Sequence, residues 1–396
     1  MRILIAHNRY QQRGGEDVVV ENETLLLRKL GHNVENFIVT NDEIVGFWNK
    51  AAAAIQVLDN PAVTRAFDHS IAAFDPHIVH FHNYFPRLTP SAVERSLIRG
   101  IPTLQTLHNF RLICAAGTFL REENICEDCL DTYWRLAAVR HACYRGSRAG
   151  SFFVGRVGRA YRQLYTRYQR HLTLIALTEF ARAQMSRDGY DPSRIVVKGN
   201  SAPDVGLGHR CRDRRIVFVG RLTKEKGADF LLRVAHRIDA EFEIIGDGPE
   251  RERLCATAPP NVSIRGWLEH DSVIERIKGA TAVAMPSRWY EGFPMVLAET
   301  LSAGVPVLAS RLGALAEIIE DGRSGMTLPV DDETSWSAAL RRILDDCAWS
   351  AQLREGARRT YDEKYNERVN GEKLIGIYEK AIDRATTPGP TGGNYA

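Results

Sequence analysis

The chain has 396 residues, 44% of them hydrophobic and 26% charged, an ordinary make-up for a folded protein but too long for one comfortable core. Its 52 basic residues almost cancel 49 acidic ones, and a formal charge of +3 gives no reason to expect a nucleic-acid partner. No stretch approaches the roughly eighteen consecutive apolar residues that a membrane-spanning helix needs.

The opening segment Met1-Arg2-Ile3-Leu4-Ile5-Ala6-His7 is too short for a signal peptide and carries no cleavage-site pattern. With seven cysteines, an odd number, this sets the cytoplasm as the expected address and reduced thiols as the expected state. Short apolar runs then alternate with longer amphipathic stretches. In the first half the expected strands are 3–7, 34–39, 77–81, 103–108, 172–177 and 194–197, with helical stretches such as 18–30 and 90–99 between them. The second half restarts the pattern with 216–220, 242–245, 262–265, 282–285, 305–309 and 325–328. Buried apolar strands spaced by helices predict parallel βαβ sheets, and two such sets predict two doubly wound α/β domains. The break is expected near 199–214, where Gly, Pro and Asp cluster and run into the charged segment 209–215. An amphipathic helix is expected over 368–384, with Leu374, Ile375, Ile377, Tyr378 and Ile382 on its apolar face. The Pro/Gly-rich tail from 386 is expected to be disordered.

In open α/β sheets ligands sit outside the carboxyl ends of the strands, and the polar motifs of this chain fall there. After the first strand, Gly14-Gly15 leads into a helix; paired glycines let the backbone approach an anion, and the helix start offers free N–H groups. Such a turn is more often a plain loop, so it carries little alone. The second half opens with Gly220-Arg221-Leu222-Thr223-Lys224-Glu225-Lys226-Gly227. Arg221 and Lys226 suit a diphosphate, one as a fork and one as a point charge, whereas Lys224 and Glu225 read as solvated loop residues. Further on, Glu291-Gly292-Phe293-Pro294 enters a helix that contains Glu299. Eight residues advance a helix by about 12 Å, so the two carboxylates suit groups spaced along an extended ligand. Either Glu taken alone reads as a surface or capping residue.

Together these residues resemble the retaining glycosyltransferases of family 4, which have the GT-B fold. The matching elements are Gly14-Gly15, His108-Asn109, Gly220-Arg221-Leu222, Glu225-Lys226-Gly227, Gly246-Asp247-Gly248-Pro249, and Glu291 to Glu299 continued by Ala303-Gly304-Val305-Pro306-Val307. Their order covers residues 1 to roughly 330. The resemblance implies two Rossmann-like domains facing a cleft: 1–200 on the acceptor side, 201–367 for the nucleotide sugar, 368–385 as a helix crossing back to the N-domain, and 386–396 as a tail. It implies that Arg221 and Lys226 hold the donor diphosphate with help from Gly14 and the Gly15 amide. Glu291 and the Gly292-Phe293 backbone would contact donor sugar and phosphate, Glu299 the ribose hydroxyls, and His108 would lie beside the reacting sugar. His108, Arg221, Lys226 and Glu291 form the implied catalytic set. By position after the third strand, His82 and Asn83 are placed on the acceptor side. The segment Gly199-Asn200-Ser201-Ala202-Pro203-Asp204 departs from the family's usual Asn-Gly-hydrophobic-Asp, which bears on the hinge more than on the chemistry.

The implied activity is retaining transfer of a sugar from a nucleoside diphosphate sugar to a glycan or lipid-linked acceptor, in surface-polysaccharide or cell-envelope glycan synthesis. No cofactor is required, and the donor is a substrate. A sugar-nucleotide epimerase of the same architecture, or a donor-binding scaffold without turnover, would share the donor motifs. Nucleobase, sugar, acceptor, linkage and oligomeric state are not written in these motifs.

Two features lie outside the resemblance. Cys114, Cys126, Cys129 and Cys143 fit either a tetrahedral thiolate site, most simply structural zinc, or a set of reduced thiols in a compact insertion. From Thr132 to Thr178 there are nine arginines and no acidic residue: Arg135, Arg140, Arg145, Arg148, Arg156, Arg159, Arg162, Arg167 and Arg170, with aromatic residues interleaved. Such a segment suits an anionic membrane surface on the inner face, an acceptor-phosphate patch or a solvated helix face.

Overall fold

The computed structural model describes residues 1–387 except 12–13, 43, 45 and 210–213, so the middle of the charged run and the tail from 388 lie outside the described residues. The first parallel sheet contains β1 (Arg2–Arg9), β2 (Asn33–Thr40), β3 (Ile78–Asn83) and β4 (Thr103–Leu107). A small hairpin of β5 (Leu120–Arg121) and β6 (Asn124–Ile125) follows, and then β7 (Leu172–Ala176) and β8 (Ile195–Val197) complete the sheet. The order is β2-β1-β3-β4-β7-β8. The second sheet uses β9 (Arg215–Val219), β10 (Glu241–Ile245), β11 (Val262–Gly266), β12 (Ala282–Met285), β13 (Val307–Ser310) and β14 (Gly325–Leu328), in the order β11-β10-β9-β12-β13-β14. All twelve strands expected from the sequence are present. The inner strands form because their side chains are buried on both faces: Ile3, Leu4, Ile5 and Ala6 in β1, and Ala282, Val283 and Ala284 in β12, have no exposed surface. The strand order reverses between β1 and β3 in one sheet and between β9 and β12 in the other, so each sheet has a crevice at its carboxyl edge.

The last helix, Glu367–Thr386, begins at Asn366, whose side chain accepts from the Val369 N–H. It returns to the first sheet, where Leu374, Ile377, Tyr378 and Ala381 pack with Ile3, Ile5 and Ile78. Residues 386 and 387 therefore close this helix rather than open a tail. The segment after β8 is fixed against the second lobe. Asp204 pairs with Arg358 at 2.7 Å, the Tyr361 hydroxyl donates to the Ala202 carbonyl at 3.0 Å, and a Cβ on Gly199 would come within 2.8 Å of the Phe293 ring.

The Arg-rich stretch is only partly a surface. Arg135 is buried and donates to Asp188 at 2.6 Å, Arg162 stands 3.8 Å from the same carboxylate, and Arg170 donates to the Arg384 carbonyl at 3.2 Å. A buried Asp188 needs such a cation, which removes Arg135 from any external role. Among the described residues no helix is long and apolar enough to cross a membrane.

Candidate active site

The loops after β9, β10 and β12 are locked together by glycines. Gly246 has φ 144°, and a Cβ there would sit 1.8 Å from the Gly220 carbonyl. Gly227 has φ 73° and its Cβ would sit 2.1 Å from the Pro286 carbonyl. Only glycine permits both approaches, which press the turn Lys224–Lys226 against the end of β12. The result is a contact between residues far apart in sequence: Lys226 Nζ donates to Glu291 Oε1 at 2.7 Å. The Ser287 hydroxyl donates to the same oxygen at 2.7 Å, and the Trp289 ring lies 5.2 Å from the ammonium. Burial alone would lift the Glu291 carboxyl, but the Lys226 charge and the hydrogen bonds outweigh it and hold the group below its ordinary range.

Arg288 fixes this loop. Its N–H donates to the Glu225 carbonyl at 2.8 Å, and its guanidinium reaches both Asp229 oxygens, at 2.8 and 3.0 Å, and Asp331 at 2.8 Å. Arg221 is exposed at the mouth, with no acidic partner among the described residues. Glu299 lies in the helix Met295–Ser302 and is 7% exposed. Burial raises its carboxyl, with His270 at 3.8 Å opposing the shift. His270 was not singled out from the sequence, since a lone His near a helix start has no distinguishing pattern.

The first lobe faces this loop directly. The Asp17 carboxylate is bonded to His7 Nε2 at 2.8 Å and accepts from the Gly14 N–H at 2.8 Å, which orders the Gly14-Gly15 turn at the start of the helix Gly15–Lys29. A Cβ on Gly15 would be 3.5 Å from Met295 Cγ, so two helix N-termini meet across the gap. Both present partial positive charge. A Cβ on Gly292 would lie 2.6 Å from the His108 carbonyl, which puts His108 at the same seam.

Behind His108 runs a buried polar chain. His108 Nε2 meets His82 Nδ1 at 3.0 Å, His82 Nε2 lies 3.3 Å from Glu23, and Glu23 pairs with Lys198 at 2.7 Å. His80 is bonded to Tyr378 at 2.8 Å and Thr106 at 2.7 Å. His82 and Asn83 end β3 and are bonded to the protein's own groups. His82 is 2% exposed and supports His108 from beneath, and Asn83 is 6% exposed, its amide donating to the Asn8 carbonyl and its oxygen accepting from the Phe85 N–H. Neither side chain is on the cleft surface. Ligand atoms of Glu23, His80 and His82 lie within 4.8 Å of one another, but the Lys198 ammonium already supplies the cation that Glu23 needs.

Burial holds His80, His82 and His108 below the usual histidine range, while Lys198 chiefly overcomes burial to hold Glu23 well below the carboxylate range. The unfolded chain therefore takes up protons below about pH 6.5 that the native chain resists, so stability is full above that value and falls on acidification. Glu23 adds a further loss below about pH 4.5. The expected melting midpoint drops between pH 7 and pH 5, and His80→Gln flattens that slope. A midpoint that holds or rises on acidification contradicts this reading of the network.

Residues 14–201 match the family described as "Glycosyl transferase 4-like domain", and residues 213–346 match "Glycosyl transferases group 1". The chain belongs to the family 4 glycosyltransferases. Among its relatives, alpha-D-kanosaminyltransferase of Streptomyces kanamyceticus is 31% identical over 179 residues, 42% of this chain and 46% of that one. Phosphatidyl-myo-inositol mannosyltransferase of Mycolicibacterium smegmatis is 31% identical over 209 residues, 50% of this chain and 52% of that one. The chain thus spans about half the length of these curated relatives. Sucrose-phosphate synthase from Thermosynechococcus elongatus superposes with TM-score 0.68 at 16% identity, covering 95% of this chain and 98% of that one. Anabaena HepE in complex with UDP and glucose gives 0.66 at 14%, covering 95% and 99%. At these identities the likeness establishes the GT-B fold.

Proposed function

We propose that this glycosyltransferase moves a sugar from a nucleoside diphosphate donor to a glycan or lipid-linked acceptor with retention of anomeric configuration. One observation carries the reading: Lys226 is held at 2.7 Å by Glu291, just before the helix whose first residue, Met295, meets the Gly15 helix start of the other lobe. In this reading residues 1–200 serve the acceptor and 201–367 the donor. Arg221, Lys226 and the two helix N-termini take up the negative charge that builds on the diphosphate as the bond from the sugar's anomeric carbon to the phosphate oxygen breaks. The acceptor hydroxyl attacks from the same face and gives its proton to the departing phosphate oxygen. Glu291 orients Lys226 and contacts donor sugar and phosphate with the Gly292-Phe293 backbone, Glu299 binds the ribose hydroxyls, and His108 lines the reacting sugar. No cofactor is needed for these steps.

UDP and UDP-glucose are bound in solved relatives of the fold, which makes uridine nucleotides the first probes. The test is to supply nucleotide sugars with candidate glycan and lipid-linked acceptors and follow both nucleotide release and product. Release of diphosphate with a new glycosidic bond supports transfer, whereas a sugar isomerised on its own nucleotide, or binding without turnover, overturns it.

Location on the inner membrane face, in surface-polysaccharide or cell-envelope glycan synthesis, belongs to the same reading. Tyr133, Trp134, Leu136 and Phe152 are exposed by 44–66%, and exposed Arg140, Arg145, Arg148 and Arg156 lie in the same segment. Amphipathic rings beside arginines suit a headgroup layer. The protein is expected to sediment with anionic vesicles in low salt, less in high salt, and weakly after Trp134→Ala with Phe152→Ala. Equal sedimentation with neutral vesicles, or none, rules the surface out.

A further inference from the structure

Between β4 and the helix Arg148–Arg167 the chain makes a compact insertion with little regular structure. Cys114, Cys126, Cys129 and Cys143 come from three separate segments of it and all line one cavity of about 10 Å³. That volume admits a single water-sized particle and no substrate. Leu120 and four alanines also line it, so apart from the sulfurs and Arg121 its wall is apolar. Four soft sulfur ligands around one ion-sized space have the chemistry of a tetrahedral thiolate site, and a bound ion would have to draw them together, since no three of them lie within 4.8 Å of one another. Arg121 lines the same cavity and would offset part of the negative charge of four thiolates around a divalent ion.

The backbone gives a second, independent reason. Of the ten non-glycine residues with positive φ among the described residues, seven lie here: Phe119, Glu122, Glu123, Asp131, Arg135, Ala142 and Arg145. Each such conformation costs energy and persists only where the surroundings over-determine it. A hairpin with two-residue strands cannot do that alone.

We propose that Cys114, Cys126, Cys129 and Cys143 bind one zinc ion, and that the resulting knuckle braces the loop before Glu291 from the opposite lobe. The bracing contacts come from residues beside the thiols. Glu127 accepts from the Tyr290 hydroxyl at 3.2 Å, Glu123 pairs with Lys224 at 2.7 Å, and the Phe119 ring lies 5.9 Å from the Tyr290 ring. Tyr290 adjoins Glu291, and Lys224 is in the turn of Lys226.

The experiment uses the full chain, grown with zinc and purified under reducing conditions without chelator. Elemental analysis is expected to give about one zinc per chain. A thiol reagent should modify exposed Cys255 and Cys347 at once and leave the four clustered cysteines protected until a strong chelator is added. Chelation should also lower the melting midpoint, and zinc should restore it. Cys126→Ser with Cys129→Ser should lose the metal, but the wild-type readings stand even if that variant folds poorly. The proposal is overturned by zinc far below stoichiometry with all four thiols reacting before chelation, by iron in place of zinc, or by a mass marking a disulfide among the four. None of these readings depends on sugar transfer.

Discussion

Lys226→Ala is expected to lower turnover by about a hundredfold or more at saturating donor, since removing one preorganised donor to developing charge typically costs on the order of 3 kcal/mol. The pairing with Glu291 adds a second effect. Glu291 is 4% exposed, and without the ammonium at 2.7 Å it becomes a buried carboxylate with only the Ser287 hydroxyl to satisfy it. Breaking a buried pair by removing one partner costs about 3–5 kcal/mol where burial is complete, so the melting midpoint should fall as well. The double variant Lys226→Ala with Glu291→Gln separates the two effects. It should regain much of the stability, because no buried charge is left, and none of the turnover. Restored turnover in the double variant would mean that Lys226 merely neutralises Glu291.

Gly292→Val should be nearly as damaging for a different reason. The Cβ would stand 2.6 Å from the His108 carbonyl, a backbone atom that cannot swing aside. The strain is relieved by parting the lobes by roughly an ångström, and a misplacement of that size can cost about a hundredfold in rate. Neither core is touched, so each lobe keeps its fold. Turnover should collapse with little loss of secondary structure, and small-angle scattering should report a slightly larger particle. Gly376→Ala is the control, because nothing lies within 4 Å of that Cβ. If Gly292→Val turns over normally, the His108–Gly292 seam is not part of the working geometry.

The inner strands of both sheets were legible because apolar runs buried on both faces have few alternatives. The β5–β6 hairpin was not. Its turn is Glu122-Glu123 at positive φ, where sequence signals for such a turn rest on Asn or Gly. Arg221, Lys226 and Glu291 could be named as a set, but the pairing of Lys226 with Glu291 spans 65 residues and depends on Gly227 abutting Pro286. That His82 meets the His108 imidazole was not legible, because a His after a buried run looks the same whether it faces a cleft or a neighbouring imidazole. Arg135 read as part of a basic face for a similar reason: Asp188, its partner, lies 53 residues on.

The most direct measurement is calorimetric binding of UDP against UMP, first to the wild type and then to Arg221→Ala with Lys226→Ala. A charge-assisted hydrogen bond contributes about 1.5–3 kcal/mol, so the second phosphate should tighten binding at least about tenfold in the wild type. That preference should vanish in the double variant, while UMP affinity stays close to wild type. Equal preference in both proteins would show that the diphosphate is gripped elsewhere.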